Sequence, residues 1–190
     1  MIATKKCQMR PIFTVHAGEF LVGQHIESSF KNKRVWVPTK DIGIDLLVTN
    51  QDNSKSVSLQ VKFSRDFLPI KKLPLETQGR LRSCTWFSFD RKRLSRSPAG
   101  YWVLVLLSFE KKSYDYLLIT PQELLRRLEA IHGVSPRYQV YVWVTKRDRA
   151  WLARGLKKAD EAQIANGTFR DELRDVTRYL EEHWSLIRDL

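Results

Sequence analysis

The sequence predicts an α/β protein in which helices pack against a mixed β-sheet. Three patterns indicate this fold class: an alternating apolar hairpin at residues 44–61, a near-continuous apolar run at 101–109, and a capped amphipathic helix at 120–132. Alternation is typical of a strand with one buried face, whereas an uninterrupted apolar run is typical of a central strand covered on both faces. The length of 190 residues suits one domain with an extension.

The first predicted element is a helix at about residues 15–30. Glu19 lies inside its apolar stripe, on the face that should be buried. Because burial of a carboxylate is costly without a partner, Glu19 is either a metal ligand, directly or through water, or the partner of an arginine or a backbone group. Gly18 and Gly23 would allow this face to approach the sheet closely. The stripe consists of Val15, Val22, Ile26 and Phe30.

A short strand at 33–38 and a hairpin follow this helix. The hairpin turn is predicted within the polar run 49–56, which contains two Asn, one Asp and two Ser. A turn centred between Asp52 and Asn53 gives the hairpin one apolar face and one polar face. Shifting the pairing of the strands by one residue would destroy both faces, which favours this register. Three apolar pairs then share one face: Ile44 with Val61, Leu46 with Leu59, and Val48 with Val57.

Polar side chains occupy the other face of the same hairpin. Asp45 faces Gln60 there, and Lys62 faces Gly43, which leaves room for the lysine stem. One interpretation is a solvated face with a weak surface ion pair. The other is a metal site, because carboxylate and amide oxygens suit Mg²⁺, and a lysine beside them could hold a nucleophilic water or offset transition-state charge.

This pattern resembles a known nuclease superfamily. Asp-x-Gly-x-Asp, three apolar residues and then, fifteen positions after the second Asp, Gln-x-Lys are similar to the PD-(D/E)xK, or restriction-endonuclease-like, motif. The nearest branch is the Mrr-like one, in which Gln replaces the second acid. The matching residues are 43–48 and 59–62, and the family's upstream helical Glu is matched by Glu19. The resemblance covers roughly residues 14–110 and implies an αβββαβ core.

The resemblance also implies a role for each site residue. Asp45 would be the principal ligand of Mg²⁺ (or Mn²⁺), and the side chain of Gln60 and the carbonyl of Val61 would complete the coordination. Glu19 would bind through water or a second ion. Lys62 would position the attacking water and offset transition-state charge. Glu19, Asp45, Gln60 and Lys62 are thus the expected catalytic set.

Positive charge flanks this candidate site. The net charge is +12, and residues 65–97 carry nine basic against three acidic side chains. Such a field favours a polyanion, above all nucleic acid, as partner. Part of the charge lies in a predicted irregular loop at 66–83, either a substrate clamp or a solvated insertion, and part in a helix that Asp90 would cap. The candidate nucleic-acid-binding residues are Arg65, Lys71, Lys72, Arg91, Lys92 and Arg93.

Further elements complete the predicted fold. Short strands are expected at 85–89, 114–119 and 138–145, and a helix at 120–132 that begins with a Thr-Pro-Gln-Glu capping box. A last amphipathic helix is expected to begin at a second cap, Thr168 with Asp171, and to pack on the domain or on a second copy of the chain. Residues 1–158 are assigned to the nuclease-like domain and 159–190 to a C-terminal helical extension.

Composition excludes several classes of protein. No apolar run approaches the roughly twenty residues that span a membrane, and the first ten residues lack the apolar core of a signal peptide. Two Cys and four His show no metal-ligand spacing, so no zinc site is predicted and a reduced, cytoplasmic setting is expected. We therefore expect a Mg²⁺-dependent nuclease acting on DNA. The alternatives are a non-catalytic nucleic-acid-binding module with the same fold, and an interaction protein that uses its last helix.

Overall fold

The computed structural model describes residues 17–40, 42–64, 77, 79–108 and 113–190. Its strands are β1 Lys33–Trp36, β2 Leu46–Asn50, β3 Ser56–Ser64, β4 Leu81–Asp90, β5 Tyr101–Ser108, β6 Ser113–Ile119, β7 Arg137–Thr145 and β8 Ala150–Leu152. Its helices are α1 Ala17–Ser29, α2 Arg91–Ser95, α3 Pro121–His132, α4 Lys158–Asn166, α5 Arg178–Glu181 and α6 Ser185–Arg188, with a 3₁₀ turn at Glu182–Trp184.

The α/β class and the mixed sheet are confirmed. Five strands form one sheet in the order β1-β2-β3-β5-β6, in which β3 and β5 are parallel and the other neighbours are antiparallel. Three strands form a second sheet in the order β4-β7-β8. The main sheet carries α1 on one face and the second sheet with α3 on the other, and α4 covers the outer face of the second sheet.

The predicted hairpin register is confirmed from Leu46 onwards. Leu46 pairs with Leu59 and Val48 with Val57. The predicted contact of Ile44 with the same apolar face is wrong, because β2 begins at Leu46 and Ile44 packs in the cluster between the two sheets. The backbone leaves the ladder here, where Gly43 adopts a positive φ of 83°.

Two helix starts agree with the predicted caps. Asp90 accepts a hydrogen bond of 2.9 Å from the backbone amide of Arg93 and caps α2. Thr120 accepts one of 3.2 Å from the amide of Glu123 and caps α3, whose first residue is Pro121. In both cases a short polar side chain satisfies an amide that the first helical turn leaves without an intrahelical partner.

The strand predicted at 85–89 is longer than expected and belongs to the second sheet. It extends over β4 and pairs antiparallel with β7 along its length. Val140, Val142 and Val144 of β7 face the main sheet, whereas Trp143 faces α4. Most of the predicted loop at 66–83, and the first residues of the chain, lie outside the described residues.

The long C-terminal helix predicted from Thr168 is wrong. Residues 168–177 are not helical: they contain a turn at 172–174 and then a β-bridge beside β8, where the Leu152 amide donates to the Arg174 carbonyl and the Val176 amide donates to the Ala150 carbonyl. Helical structure resumes at Arg178, after that segment, and α4 begins at the predicted boundary between residues 158 and 159. Trp184 and Ile187 then pack with α1 against the main sheet. Within the described ranges, no helix combines the length and apolar character that a membrane crossing needs.

Candidate functional site

A cleft of about 990 Å³ opens where β2 begins, between the start of α1, the loop before β2, the end of β3 and α2. Glu19, Asp45, Gln60, Val61 and Lys62 all line it. The four residues of the expected catalytic set and Val61, the expected carbonyl ligand, therefore line one cavity. The cleft lies at the end of the ladder between β2 and β3, where the backbone before β2 leaves the sheet.

Glu19 reaches the cleft from α1. Its side chain lies on the buried side of the helix with Gly18 and Val22, and the residue is 4% exposed. Gly18 sets the distance between this helix and the sheet, because a Cβ at Gly18 would lie 2.7 Å from the Cβ of Phe63. The expectation that Gly18 permits a close approach is confirmed, and Glu19, the next residue, lines the cleft.

Asp45 is held in place from both its backbone and its side chain. Its amide donates to the carbonyl of Leu59 at 2.8 Å. Its Oδ2 accepts a hydrogen bond of 2.7 Å from the backbone amide of Val61, and the residue is 3% exposed. An amide donor stabilises a buried carboxylate, which would otherwise lose much of its hydration free energy.

Gln60 and Lys62 share one face of β3, as the hairpin pattern predicts. They pair in register with Trp102 and Leu104 of the parallel strand β5, whose side chains lie between the two sheets. Both residues are half-buried. The Lys62 ammonium lies 5.2 Å from the centre of the Trp102 ring, within the range of a cation–π interaction. Lys62 lines the cleft, and this contact restricts where its ammonium can lie.

The opposite wall of the cleft is basic. Lys92 and Arg93 of α2 and Arg96 just after it line the cavity and are exposed. Leu94 anchors α2 in the core at 0% exposure, which leaves the cations of the helix on its outer side. The pKa of the Asp90 carboxyl that caps α2 is lowered, chiefly by the hydrogen bond from the Arg93 amide, so the cap is ionised at neutral pH.

Not every predicted nucleic-acid-binding residue reaches the cleft. Arg91 does not line it; its guanidinium pairs with Glu129 of α3 at 2.7 Å instead. Arg65, Lys71 and Lys72 lie outside the described residues. Lys92 and Arg93 are therefore the members of the predicted set that the structure places at the cavity.

Sequence reasoning missed several residues that line the cleft. Arg96 belongs to the same basic run as Lys92, and its position one helical turn later was the signal. Phe63 follows Lys62 directly, and nothing in the hairpin pattern indicated that it would stay 39% exposed. Pro98 also lines the cleft. Its ring packs closely on Gly43, since a Cβ added to Gly43 would lie 3.2 Å from the ring.

The chemistry of the donor set suits a hard cation. Glu19 and Asp45 supply carboxylates, Gln60 an amide oxygen and Val61 a backbone carbonyl, and oxygen ligands of this kind are those that Mg²⁺ and Mn²⁺ prefer. Across the part of the chain that the structure describes, no three His, Cys, Asp or Glu side chains form a group that could hold a metal ion. Any ion here would depend on the two carboxylates together with neutral oxygens.

Comparison of the chain with protein-family models, with curated proteins and with solved structures gave no match.

Proposed function

We propose that this protein is a Mg²⁺-dependent nuclease that hydrolyses phosphodiester bonds of nucleic acid, with DNA as its substrate. One observation carries the proposal: two nearly buried carboxylates, Glu19 and Asp45, share a cleft with Lys62 and a wall of exposed cations. Buried carboxylates beside a lysine offer sites for a cation and a polarised water. The cations offer sites for the phosphates of the substrate.

The order of elements supports the same proposal. From α1 through β1, β2, β3 and α2 to β5, the described elements follow the αβββαβ order of the restriction-endonuclease-like core that the sequence motif resembles. β4 is an addition to that order, and it joins a different sheet. The parallel pairing of β3 with β5 accords with a core in which a helix connects the third and fourth strands.

The residues of the cleft fit a divalent ion. Asp45, Gln60 and the Val61 carbonyl would hold it, with Glu19 contributing directly or through water. The N–H and C=O of one strand residue point towards the same neighbouring strand, so the Val61 carbonyl lies on the side from which its amide bonds Asp45. When bound, such an ion supplies Lewis-acid stabilisation of the phosphoryl charge and lowers the pKa of water.

Lys62 would act on the substrate through its ammonium group. Its donors can orient an attacking water or bond a phosphate oxygen, and its charge offsets the negative charge that builds up in the transition state. The cation–π contact with Trp102 restricts where the ammonium can lie. The exposed α2 cations would bind the phosphates on either side of the reacting one, which orients the strand but adds no base specificity.

A second candidate function is a non-catalytic nucleic-acid-binding module. Gln60 favours it, because a neutral amide stands at the position where most of the superfamily has an acid, and fewer charges mean weaker cation binding. The basic wall of the cleft would serve either function, so binding of nucleic acid alone does not discriminate between them.

Cleavage discriminates between the two candidates. Purified protein is incubated with supercoiled plasmid, linear DNA and RNA in Mg²⁺, Mn²⁺ or EDTA, beside a Lys62→Gln variant. The nuclease proposal expects cleavage in Mg²⁺ or Mn²⁺ that EDTA and Lys62→Gln abolish. Lys55→Gln is the matched control, since Lys55 lies in the exposed turn of the same hairpin. Intact substrates in every condition, with binding retained, would favour the binding module.

A further inference from the structure

The cleft has an apolar side that phosphodiester hydrolysis does not require. Phe63 lines the cavity directly after Lys62 and remains 39% exposed. Ile42 lines it from the loop before β2 and is 56% exposed. Large apolar side chains that stay exposed within a charged cleft indicate contact with a ligand that has an apolar surface.

Phe63 is presented from a rigid part of the fold. It lies within β3 and pairs with Val105 of β5, which is completely buried. The α1 helix packs directly against its base, since a Cβ on Gly18 would lie 2.7 Å from the Phe63 Cβ and 3.3 Å from its Cγ. These contacts fix where the side chain leaves the backbone, so the exposed part of the ring is a preorganised surface.

The apolar side and the basic wall together describe the ligand. Lys92, Arg93 and Arg96 supply exposed cations to the same cleft. A basic groove combined with an aromatic face is the arrangement that binds single-stranded nucleic acid, in which bases stack on the ring and phosphates pair with the cations. In a duplex both faces of each base are covered by neighbouring base pairs, so an aromatic ring meets a base face only where a nucleotide is unpaired or extruded.

The burial of the two carboxylates also favours a single-stranded ligand. Glu19 and Asp45 are 4% and 3% exposed, so the reacting phosphate must enter the cavity to reach them. A cavity of about 990 Å³ accommodates a few nucleotides of one strand. A duplex, whose major groove alone is about 12 Å wide, would lie across its mouth.

We propose that the cleft binds an unpaired stretch of nucleic acid, with one base stacked on Phe63 and the adjacent phosphates on the α2 cations. This inference rests on the proposed nuclease function and names its substrate class: single strands, or single-stranded segments and ends within a duplex.

The test measures binding in EDTA, so that cleavage cannot interfere. Fluorescence anisotropy follows labelled oligomers of about 12 nucleotides, a length within the range of known single-strand sites. The oligomers are deoxythymidylate, uridylate and a mixed-sequence duplex, at one salt concentration. The wild-type protein is expected to bind a single strand more tightly than the duplex, and the first two oligomers show whether DNA or RNA is preferred.

Variants of Phe63 separate stacking from apolar contact. Phe63→Leu keeps the bulk but removes the π-face, and it is expected to weaken single-strand binding by about 5- to 150-fold. Phe63→Trp keeps a π-face and should bind at least as tightly as the wild type. Phe20→Leu is the matched control, because Phe20 is 62% exposed on α1 and does not line the cleft. Circular dichroism and thermal unfolding verify that each variant is folded.

Two results would overturn the inference. Equal affinity for duplex and single strand, together with Phe63→Leu binding as the wild type does, would refute base stacking. If that duplex were cleaved in Mg²⁺, the proposed nuclease function would still stand. Failure of every oligomer to bind would overturn both proposals.

Discussion

The carboxylate of Asp45, the residue just before β2, accepts a 2.7 Å hydrogen bond from the backbone amide of Val61 in β3. The proposed metal ligand therefore also has a structural role. Asp45→Ala would leave the buried Val61 amide without its acceptor, which typically costs about 1–3 kcal/mol in free energy of unfolding. Asp45→Asn retains an acceptor oxygen and should cost less.

Both Asp45 variants should lose Mn²⁺ binding, measured by calorimetry, while urea denaturation separates their stabilities. Equal stabilities for the two variants would show that the Val61 hydrogen bond contributes little. If the heat of Mn²⁺ binding is unchanged in either variant, Asp45 is not a metal ligand.

Gln60→Glu tests whether the amide at this position is a cation ligand. If it is, the added charge should raise Mg²⁺ and Mn²⁺ affinity, because a carboxylate binds a hard cation more strongly than a neutral oxygen does. If no ion binds nearby, we expect stability to change by no more than about 0.5 kcal/mol. Gln51→Glu makes the same charge change in the exposed turn of the hairpin and should leave metal titrations unchanged.

The α2 cations should determine how nucleic-acid binding responds to salt. Each neutralised phosphate contributes about −0.7 for single strands, or −0.9 for duplex DNA, to the slope of log K against log salt. Replacing Lys92, Arg93 and Arg96 by Ala should therefore make the slope shallower, by about 2 units for a single strand if all three contact phosphates.

Arg91→Ala provides the matched control for that experiment. Arg91 belongs to the same helix, but its guanidinium pairs with Glu129. Its loss should leave the salt slope unchanged and change the free energy of unfolding little, because surface ion pairs contribute little to stability. A slope that responds to Arg91 and not to the triple variant would show that the binding surface lies elsewhere.

Two glycines of α1 should respond oppositely to alanine. Gly18→Ala would place a Cβ 2.7 Å from the Phe63 Cβ, so the helix must shift, and the overpacking should cost about 1–3 kcal/mol. Gly23→Ala meets Val35 at 3.7 Å, an ordinary contact, and should stabilise by about 0.4–1 kcal/mol because it restricts the unfolded chain. Thermal unfolding of both variants shows whether each substitution raises or lowers stability. Stabilisation by Gly18→Ala would contradict the close packing of α1.

Glu123 links stability to pH far from the cleft. The pKa of this carboxyl is lowered from 4.5 to about 2, first by its hydrogen bond with Arg126 and also by those with Arg127 and Tyr179. A lowered folded-state pKa means that the ionised group stabilises the fold above 4.5, and that this contribution disappears as the pH falls towards 2.

Urea denaturation of the wild type and Glu123→Gln at several pH values tests this linkage. Above pH 4.5 the wild type should be more stable than Glu123→Gln, and this difference in stability should shrink as the pH falls. Glu161→Gln is the control, because burial raises the pKa of Glu161 and loss of its charge should not destabilise the protein at neutral pH. A difference between the wild type and Glu123→Gln that does not vary with pH would contradict the proposed linkage.

Local patterns predicted the hairpin and the helix caps. The pairing of Leu46 with Leu59 follows from alternation and from one short turn. The caps at Asp90 and Thr120 depend on residues three positions apart. Asp45, Gln60 and Lys62 could be predicted as neighbours for the same reason, since Asp45 directly precedes β2 and the other two lie on β3 of the same hairpin.

Long-range contacts decided what the sequence could not indicate. The amphipathic stripe after Thr168 matched a helix, but hydrogen bonds with β8 and three carbonyl contacts of the buried Arg127 guanidinium hold residues 172–176 in a turn and a β-bridge instead. Helix propensity is worth tenths of a kcal/mol per residue, so a set of buried hydrogen bonds overrides it.

The sequence by itself determined the α/β class, the hairpin register and the set of polar residues at its open end, because these depend on neighbours close along the chain. Tertiary structure decided which cations face the cleft: Lys92, Arg93 and Arg96 do, whereas Arg91 is drawn away by Glu129. It also decided that Phe63 stays exposed beside Lys62. The direction of a side chain depends on what packs beneath its helix or strand, and here that packing comes from residues far apart in the chain.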